Sequence, residues 1–439
     1  MVRAALKSEF IAADGLVKRF EEIEDSYVGD DDKIADRMKP DLERLLGYWE
    51  TFSGLENPDE DEQRMRILLP DVGRLPIYRW INAEERLRIF SSALADSERF
   101  GFDWGQAVYS RHVGTAYSDL GENVKALEFL ETALQLHREL DDLDGEIGLI
   151  ESDLSMCLGH LCRFEDAEKM AQQAVETLAS EEDVSCVASA TNNLGIIQYE
   201  LGDYESAKAS FEKSIELHDS VGMHKDAGSA LGNLASLHSE TGDKPKALEL
   251  AGRSLANARK FDDQNEIDVR KLVIAGIYRE IEKPEVGLEV AREVIESSSG
   301  LRAQETKCYA MLEAADCLYD LDDLDNAIQW LDQVIEVAKE FHFPTGLGAA
   351  LSLKGRVLTD QKLIDEAMAM FDEANDLFRE ANDRSGLAGV CFHQAIAKLM
   401  KEDLTGSHAS AMEALALYDE IGSGNAQMVR DWIKNVLGK

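Results

Sequence analysis

The sequence predicts an all-α protein: helix pairs stacked in series as a solenoid, with a helical segment before them and a capping helix after. Three observations carry this. The chain has 439 residues with only seven prolines and 7% aromatic residues, a composition that favours helix over sheet. A column of small residues recurs: Ala126, Ala167, Ala207, Ala247, Gly287, Ala327, Ala367 and Ser407, one step of 41 residues and six of 40. A second small column stands twelve residues upstream: Gly114, Ser155, Gly195, Ala235, Ala275, Ala315, Gly355 and Ala395.

From the N-terminus, residues 1–66 form a helical segment. Two or three helices fill 1–56, with an acidic turn "GDDD" from Gly29 and a breaker "ENPDEDE" from Glu56. Residues 67–106 read as a degenerate leading repeat. Its second helix lies in "RWINAEERLRIFSSALADSERFG", with Phe90 and Ala93 in the expected slots, while Pro70 and Pro76 interrupt the first helix.

Residues 107–422 hold eight repeats, each a pair of antiparallel helices whose small residues let the axes approach closely. Number the slots so that the two small columns are 8 and 20. The turns "LGEN", "LGDY", "TGDK" and "EKPE" fall between them. Gly121, Gly202 and Gly242 end the first helix in a left-handed cap. Asp203, Asp243, Asp323 and Asp403 cap the second, and Pro245 and Pro284 fall in its first turn, where a missing N–H costs nothing. Slot 10 is apolar throughout: Ala116, Cys157, Ile197, Leu237, Ile277, Cys317, Val357 and Ala397. Cys157 and Cys317 therefore read as core. Residues 423–439 form the capping helix, with Met428, Val429, Trp432, Ile433, Val436 and Leu437 in one apolar stripe over the last repeat.

This pattern resembles the tetratricopeptide repeat, with small residues at 8, Gly at 15, Ala at 20 and apolar residues at 24 and 27. In "LGIIQYELGDYESAKASFEKSI", Leu194, Gly195, Gly202, Asp203, Tyr204, Ala207 and Phe211 match it. The departure is the period, 40 residues rather than the family's roughly 34. The resemblance implies a right-handed solenoid, similar to peptide- and helix-binding members and to the repeat arrays of bacterial regulatory proteins. The stretch "LLGYWETFSGLEN" and the degenerate repeats after it also look like the sensor arm of STAND-type ATPases, but no Walker motif accompanies them.

Charge narrows the function. With 86 acidic and 46 basic residues the formal net charge is −40, which disfavours nucleic acid and anionic membranes as partners. No apolar run approaches the ~20 residues of a membrane span, and "MVRAALKSEFIAADG" lacks a signal-peptide core. Six cysteines form no C-x-x-C pair, so a cytoplasmic, reduced protein is expected. No H-E-x-x-H, G-x-S-x-G or G-x-G-x-x-G motif occurs. His137 and His218 share one slot and read as scaffold at an outer helix position; His218 and His224 lack a third ligand. The expectation is a non-enzyme without cofactor or metal.

By the resemblance, slots 2, 5, 6, 9, 12 and 13 of the first helix line the concave face. The family's Lys and Asn carboxylate clamp is absent. Asn192, Asn193 and Asn233 suit the backbone of an extended peptide, and Met156, Ile196 and Leu272 supply apolar contact. Slot 13 reads Asp119, His160, Glu200, Glu240, Glu280, Asp320, Asp360 and Met400. Carboxylates at a helix C-terminus are disfavoured by about 0.3–1 kcal/mol, so something offsets that cost. Three readings stand: the acids await a basic partner, bases of neighbouring repeats pair with them, or they simply reflect the acidic bias of the whole chain. The expected function is a non-catalytic scaffold that holds a peptide or protein, basic in character, in the groove. The alternative is a peptide- or protein-responsive regulator with residues 1–66 as output. Nothing in the sequence supports a homo-oligomer.

Overall fold

Helix is the only regular structure among the described residues of the computed structural model: 2–26, 31–140, 144–161, 163–180, 184–222, 227–260, 264–298, 303–341, 343–381, 383–421, 423 and 425–438. The turn at Gly29, Cys162, His224 and Gly422 lie outside them. The N-terminal helices are α1 (Val2–Ser26), α2 (Asp31–Met38), α3 (Leu42–Ser53), α4 (Glu60–Val72), α5 (Arg74–Trp80) and α6 (Ala83–Phe100). Pairs then follow: α7 (Asp103–Asp119) with α8 (Asn123–Glu139), α9 (Asp144–His160) with α10 (Phe164–Ala179), and α11 (Val184–Glu200) with α12 (Tyr204–Ser220). Next come α13 (Ala227–Glu240) with α14 (Lys244–Lys260), α15 (Gln264–Glu280) with α16 (Pro284–Ser297), and α17 (Ala303–Asp320) with α18 (Leu324–Glu340). The last are α19 (Pro344–Asp360) with α20 (Ile364–Glu380), α21 (Arg384–Met400) with α22 (Leu404–Glu420), and the terminal α23 (Asn425–Trp432). The chain forms two compact units, Met1–Cys157 with Glu176–Asp183, and Leu158–Val175 with Val184–Lys439.

In the first unit, Phe20, Met38, Trp49, Phe52, Leu69, Ile77, Phe90 and Tyr109 belong to one buried core. The N-terminal helices and the leading repeat are thus a single hydrophobic body. The prolines do not break the leading repeat as expected. Pro70 lies inside α4, and the break falls at Gly73; Pro76 sits in the first turn of α5, where its lacking N–H loses no partner. Within the breaker, Asp59 and Glu62 form a reciprocal capping box that starts α4. Arg66 and Asp96, both buried, pair at 3.1 Å and tie α4 to α6.

The small columns work by size matching. A Cβ on Gly114 would stand 2.8 Å from Leu130; on Gly195, 2.7 Å from Phe211; on Gly355, 2.4 Å from Phe371. Each large residue lies sixteen positions after its glycine, at slot 24. Where slot 8 is Ala instead, slot 24 is small: Ala235 with Ala251, Ala275 with Ala291, Ala395 with Ala411. Ala315 with Leu331 departs from this rule. The same trade links slot 1 to slot 31, because a Cβ on Gly148 would meet Leu178 at 2.6 Å and one on Gly348 would meet Phe378 at 2.8 Å. His137 and His218 occupy slot 31 and are buried, not on the outer face as the sequence suggested.

The turns share one backbone. Gly121, Gly202 and Gly242 have φ of 75°, 76° and 89°, and Glu282, Asp322, Lys362 and Glu402 adopt 59°, 60°, 64° and 63° at the same slot. In all of these turns except that at Gly242 the next N–H returns to the carbonyl five residues back, as in Asp203 to Gln198 (2.9 Å) and Asp323 to Leu318 (2.9 Å). This is the Schellman closure of a helix end. Asp203, Asp243 and Asp403 then accept the N–H of Ser206, Lys246 and Gly406. Asp323 makes no such cap and instead accepts from the Asn326 amide at 2.7 Å.

At the C-terminus, α23 passes into a π-turn at Ile433–Leu437. Val429 and Ile433 are buried and Trp432 stands edge-on to Phe392 (5.4 Å), but Met428 and Val436 are exposed. The buried stripe is therefore narrower than expected, lacking Met428 and Val436.

Two outcomes follow from this packing. Gly195→Leu or Gly355→Leu overpacks its pair and costs about 1–3 kcal/mol in denaturant titrations, whereas Lys208→Leu changes little. Equal midpoints would mean the register is wrong. Glu282, Asp322, Lys362 and Glu402 each hold a left-handed conformation that costs an L-residue about 1–2 kcal/mol. Replacement of each by Gly therefore raises stability, by about 0.5–1 kcal/mol once the added chain entropy is subtracted. A loss of stability at all four positions would show that the turns are held by these side chains.

Candidate functional site

The first-helix slots carry the polar chemistry of both units. Ten of the twelve residues singled out in the sequence lie in the second unit; Asp119 and Met156 lie in the first. Successive first helices of the second unit run side by side, so a residue meets its counterpart about one repeat on. Asn233 donates its amide to Asn192 at 3.0 Å. Asn192 and Asn193, with Ser189, His218 and Ser229, line a recess of about 210 Å³. Arg270 bonds Ser229, one of the lining residues, and Glu266, both at 2.8 Å. Ile196 is half-buried against the core of Phe211, Leu234 and Ile277, and Leu272 is half-buried.

The slot-13 acids are not equivalent. Ser239 donates to Glu280 at 2.5 Å, Arg279 pairs with Asp320 at 3.7 Å, and Tyr319 donates to Asp360 at 2.6 Å. In all three the donor is slot 12 of the preceding repeat. Sequence reasoning named slot 12 as lining but missed its role; the signal was the spacing of 41 residues. Lys244 adds an ion pair to Glu280, and these bonds outweigh burial to hold that carboxyl below its ordinary value. For these acids, pairing with the neighbouring repeat is what offsets the helix-end cost. Among the described residues Glu200 and Glu240 have no such partner. Glu200 is exposed as a residue, yet the partial loss of solvent around its carboxyl pushes it up, and Asp383 adds to that.

Farther along, Arg279 binds Glu313 at 2.9 Å, and Arg356 pairs with Asp316 at 3.6 Å while lying 4.6 Å over the Tyr319 ring. Burial pushes Asp316 up to about 6 against the pull of Arg279 and Arg356. In the first unit, Arg86 pairs with Asp119, and Arg111 reaches Asp153 (2.8 Å) and Glu146 (3.2 Å). His112 Nδ1 lies 2.9 Å from the Tyr78 hydroxyl, and burial holds the imidazole neutral, well below its usual range. Met156 is half-buried. Among the described residues no group of three or more His, Cys, Asp or Glu is arranged to hold a metal ion, and no helix is long and apolar enough to cross a membrane.

A carboxylate whose folded pKa is raised adds stability only while protonated, and that contribution is lost as pH rises through the folded value. Asp316→Asn should therefore be more stable than the parent at neutral pH, by up to about 2 kcal/mol, with the gap closing as pH falls below about 6 and gone near pH 4. Urea titrations across that range measure it. A parent more stable at neutral pH would mean the Arg356 pair outweighs burial.

Two models described as tetratricopeptide repeat match the chain, one over residues 106–180 and 186–260 and the other over 309–341. A model described as anaphase-promoting complex subunit 5 matches 148–220 and 359–402. No curated protein matches by sequence. Among solved structures, a Rap protein complexed with competence and sporulation factor superposes with a TM-score of 0.56 at 12% identity, over 95% of this chain and 99% of that one. The Rap conjugation gene regulator of plasmid pLS20, in complex with the Phr* peptide, gives 0.51 at 15% identity over 93% and 96%. The apo quorum sensor NprR from B. thuringiensis gives 0.50 at 15% over 95% and 99%. At such identities the likeness is one of fold. With its repeat models, its register and its helix pairs in agreement, the chain carries tetratricopeptide repeats and has a tetratricopeptide-type solenoid fold.

Proposed function

We propose that the chain is a non-catalytic interaction scaffold whose first-helix face holds an extended, basic peptide segment of a partner protein. The carrying observation is the repetition of one chemistry along that face. Carboxylates recur at slot 13, and slots 5, 6 and 9 offer side-chain amides and half-buried apolar groups. Asn192, Asn193 and Asn233 bond the peptide backbone, the Asn192–Asn233 bond leaving each amide a further donor or acceptor. Ile196 and Leu272 supply apolar contact, while Glu200, Glu240, Glu280, Asp320 and Asp360 set orientation and selectivity. In the first unit Met156 and Asp119 stand in the corresponding slots. A wall of one sign raises the encounter rate of a cationic segment, with screening beyond about 8 Å.

A second reading, a regulator with the N-terminal helices as output, draws on the fold match to Rap and NprR, which runs through those helices as well as the repeats. Because α1–α3 share their core with α4–α7, deleting residues 1–66 would strip that core and confuse the two readings. Hydrogen exchange separates them. Partner binding alters protection in α1–α3 under the regulator reading and leaves it unchanged under the scaffold reading.

Selection from a random octapeptide library on the immobilised chain should enrich Arg and Lys. Replacing Glu200, Glu240 and Glu280 by Gln should slow association of the selected peptides and flatten its salt dependence. The exposed second-helix acids Glu165, Glu205 and Glu212 give the matched control, with an equal change in net charge. Equal losses in both triples, or a library without basic bias, would count against the proposal.

A further inference from the structure

The slot-13 column contains a gap in its own charge compensation. The acids of repeats 5, 6 and 7 each receive a donor from the preceding repeat: Ser239 and Lys244 for Glu280, Arg279 for Asp320, Tyr319 for Asp360. The positions equivalent to Ser239 and Lys244 one repeat earlier are Tyr199 and Tyr204, and for Glu200 they are Gly159 and Phe164. Glu200 and Glu240 are exposed neighbouring rungs, and no basic side chain pairs with either among the described residues. The Tyr199 and Tyr204 rings stand 5.5 Å apart, tilted by 45°. Tyr199 precedes Glu240 by 41 residues, the spacing at which Tyr319 meets Asp360. Both hydroxyls are pushed up by burial first; Glu240 is the next cause for each, followed by Tyr204, Glu200 and Glu280 for Tyr199 and by Glu200 for Tyr204. Where the array's own cation is missing, aromatic surface has been put in its place.

We infer that Glu200, Glu240, Tyr199 and Tyr204 form the subsite for an arginine side chain of the bound peptide, which supplies in trans the cation that Lys244 supplies to Glu280 in cis. The inference rests on the groove reading above and locates its main anchor. Arginine fits better than lysine because its planar guanidinium can stack on a tyrosine ring while its edge donates to two carboxylates. Glu280 and Asp320 already have a cation of the chain, and Asp360 has the Tyr319 hydroxyl.

The test uses the full chain and acetylated hexa-arginine carrying a C-terminal benzoylphenylalanine, with hexa-lysine and hexa-citrulline counterparts. Glu200→Gln with Glu240→Gln should weaken hexa-arginine about tenfold, and Glu205→Gln with Glu212→Gln less than about twofold. Tyr204→Leu, which changes no charge, should weaken hexa-arginine several-fold and hexa-lysine less. Hexa-citrulline alters only the ligand, so its loss of binding reports on charge even if a variant folds poorly. No binding of hexa-arginine, equal losses in the two double variants, or equal binding of hexa-citrulline would overturn the subsite. Displacement of the peptide by calcium at low concentration would assign the acids to a metal instead. Photo-crosslinking separates the two levels. Crosslinks on the first helices that ignore Glu200 and Glu240 sink the subsite alone, whereas crosslinks confined to second helices sink the groove reading too.

Discussion

The closeness of the two helix axes within each pair is the constraint on which the rest depends. In every pair but Ala315–Leu331, slot 8 and slot 24 trade size across a shared space. It is filled as glycine plus a large residue at Gly195–Phe211 and Gly355–Phe371, and as two alanines at Ala235–Ala251 and Ala275–Ala291. Because the volume is shared, neither residue can grow without a shift in its partner. That contact sets the pair's register, and the turn's returning hydrogen bond fixes the length between the helices.

A second consequence concerns charge. First helices end in carboxylates, the sign that a helix C-terminus tolerates least. The structure offsets this between repeats rather than within them, through slot-12 donors one repeat back at Ser239, Arg279 and Tyr319. These bonds also stitch neighbouring first helices along the polar face. A chain of formal charge −40 therefore carries an ordered polar seam.

The repeat was legible because its cause is local: two small residues twelve apart recur in every unit. Gly121, Gly202 and Gly242 announced their turns for the same reason. The later turns were partly hidden, since Asp322, Lys362 and Glu402 adopt the left-handed backbone without the residue that usually signals it. Pro70 misled because one proline near a helix end can be accommodated when a glycine nearby makes the turn. His137 and His218 misled because slot 31 faces inward, which the Gly148–Leu178 and Gly348–Phe378 contacts reveal. The acids of slot 13 were visible as a column, but their partners were not. A donor 41 residues away becomes a neighbour only once the repeats are stacked.

The shared volume also says how such an array can be rearranged by recombination. A crossover placed between helix pairs moves both members of each size match together, so a transplanted repeat keeps its own interior. One placed at the turn would set Gly355 opposite Ala251 and leave a void the size of a phenyl ring, or drive Phe371 against Ala235. The heritable module is therefore the pair. Its individual helices are not interchangeable parts.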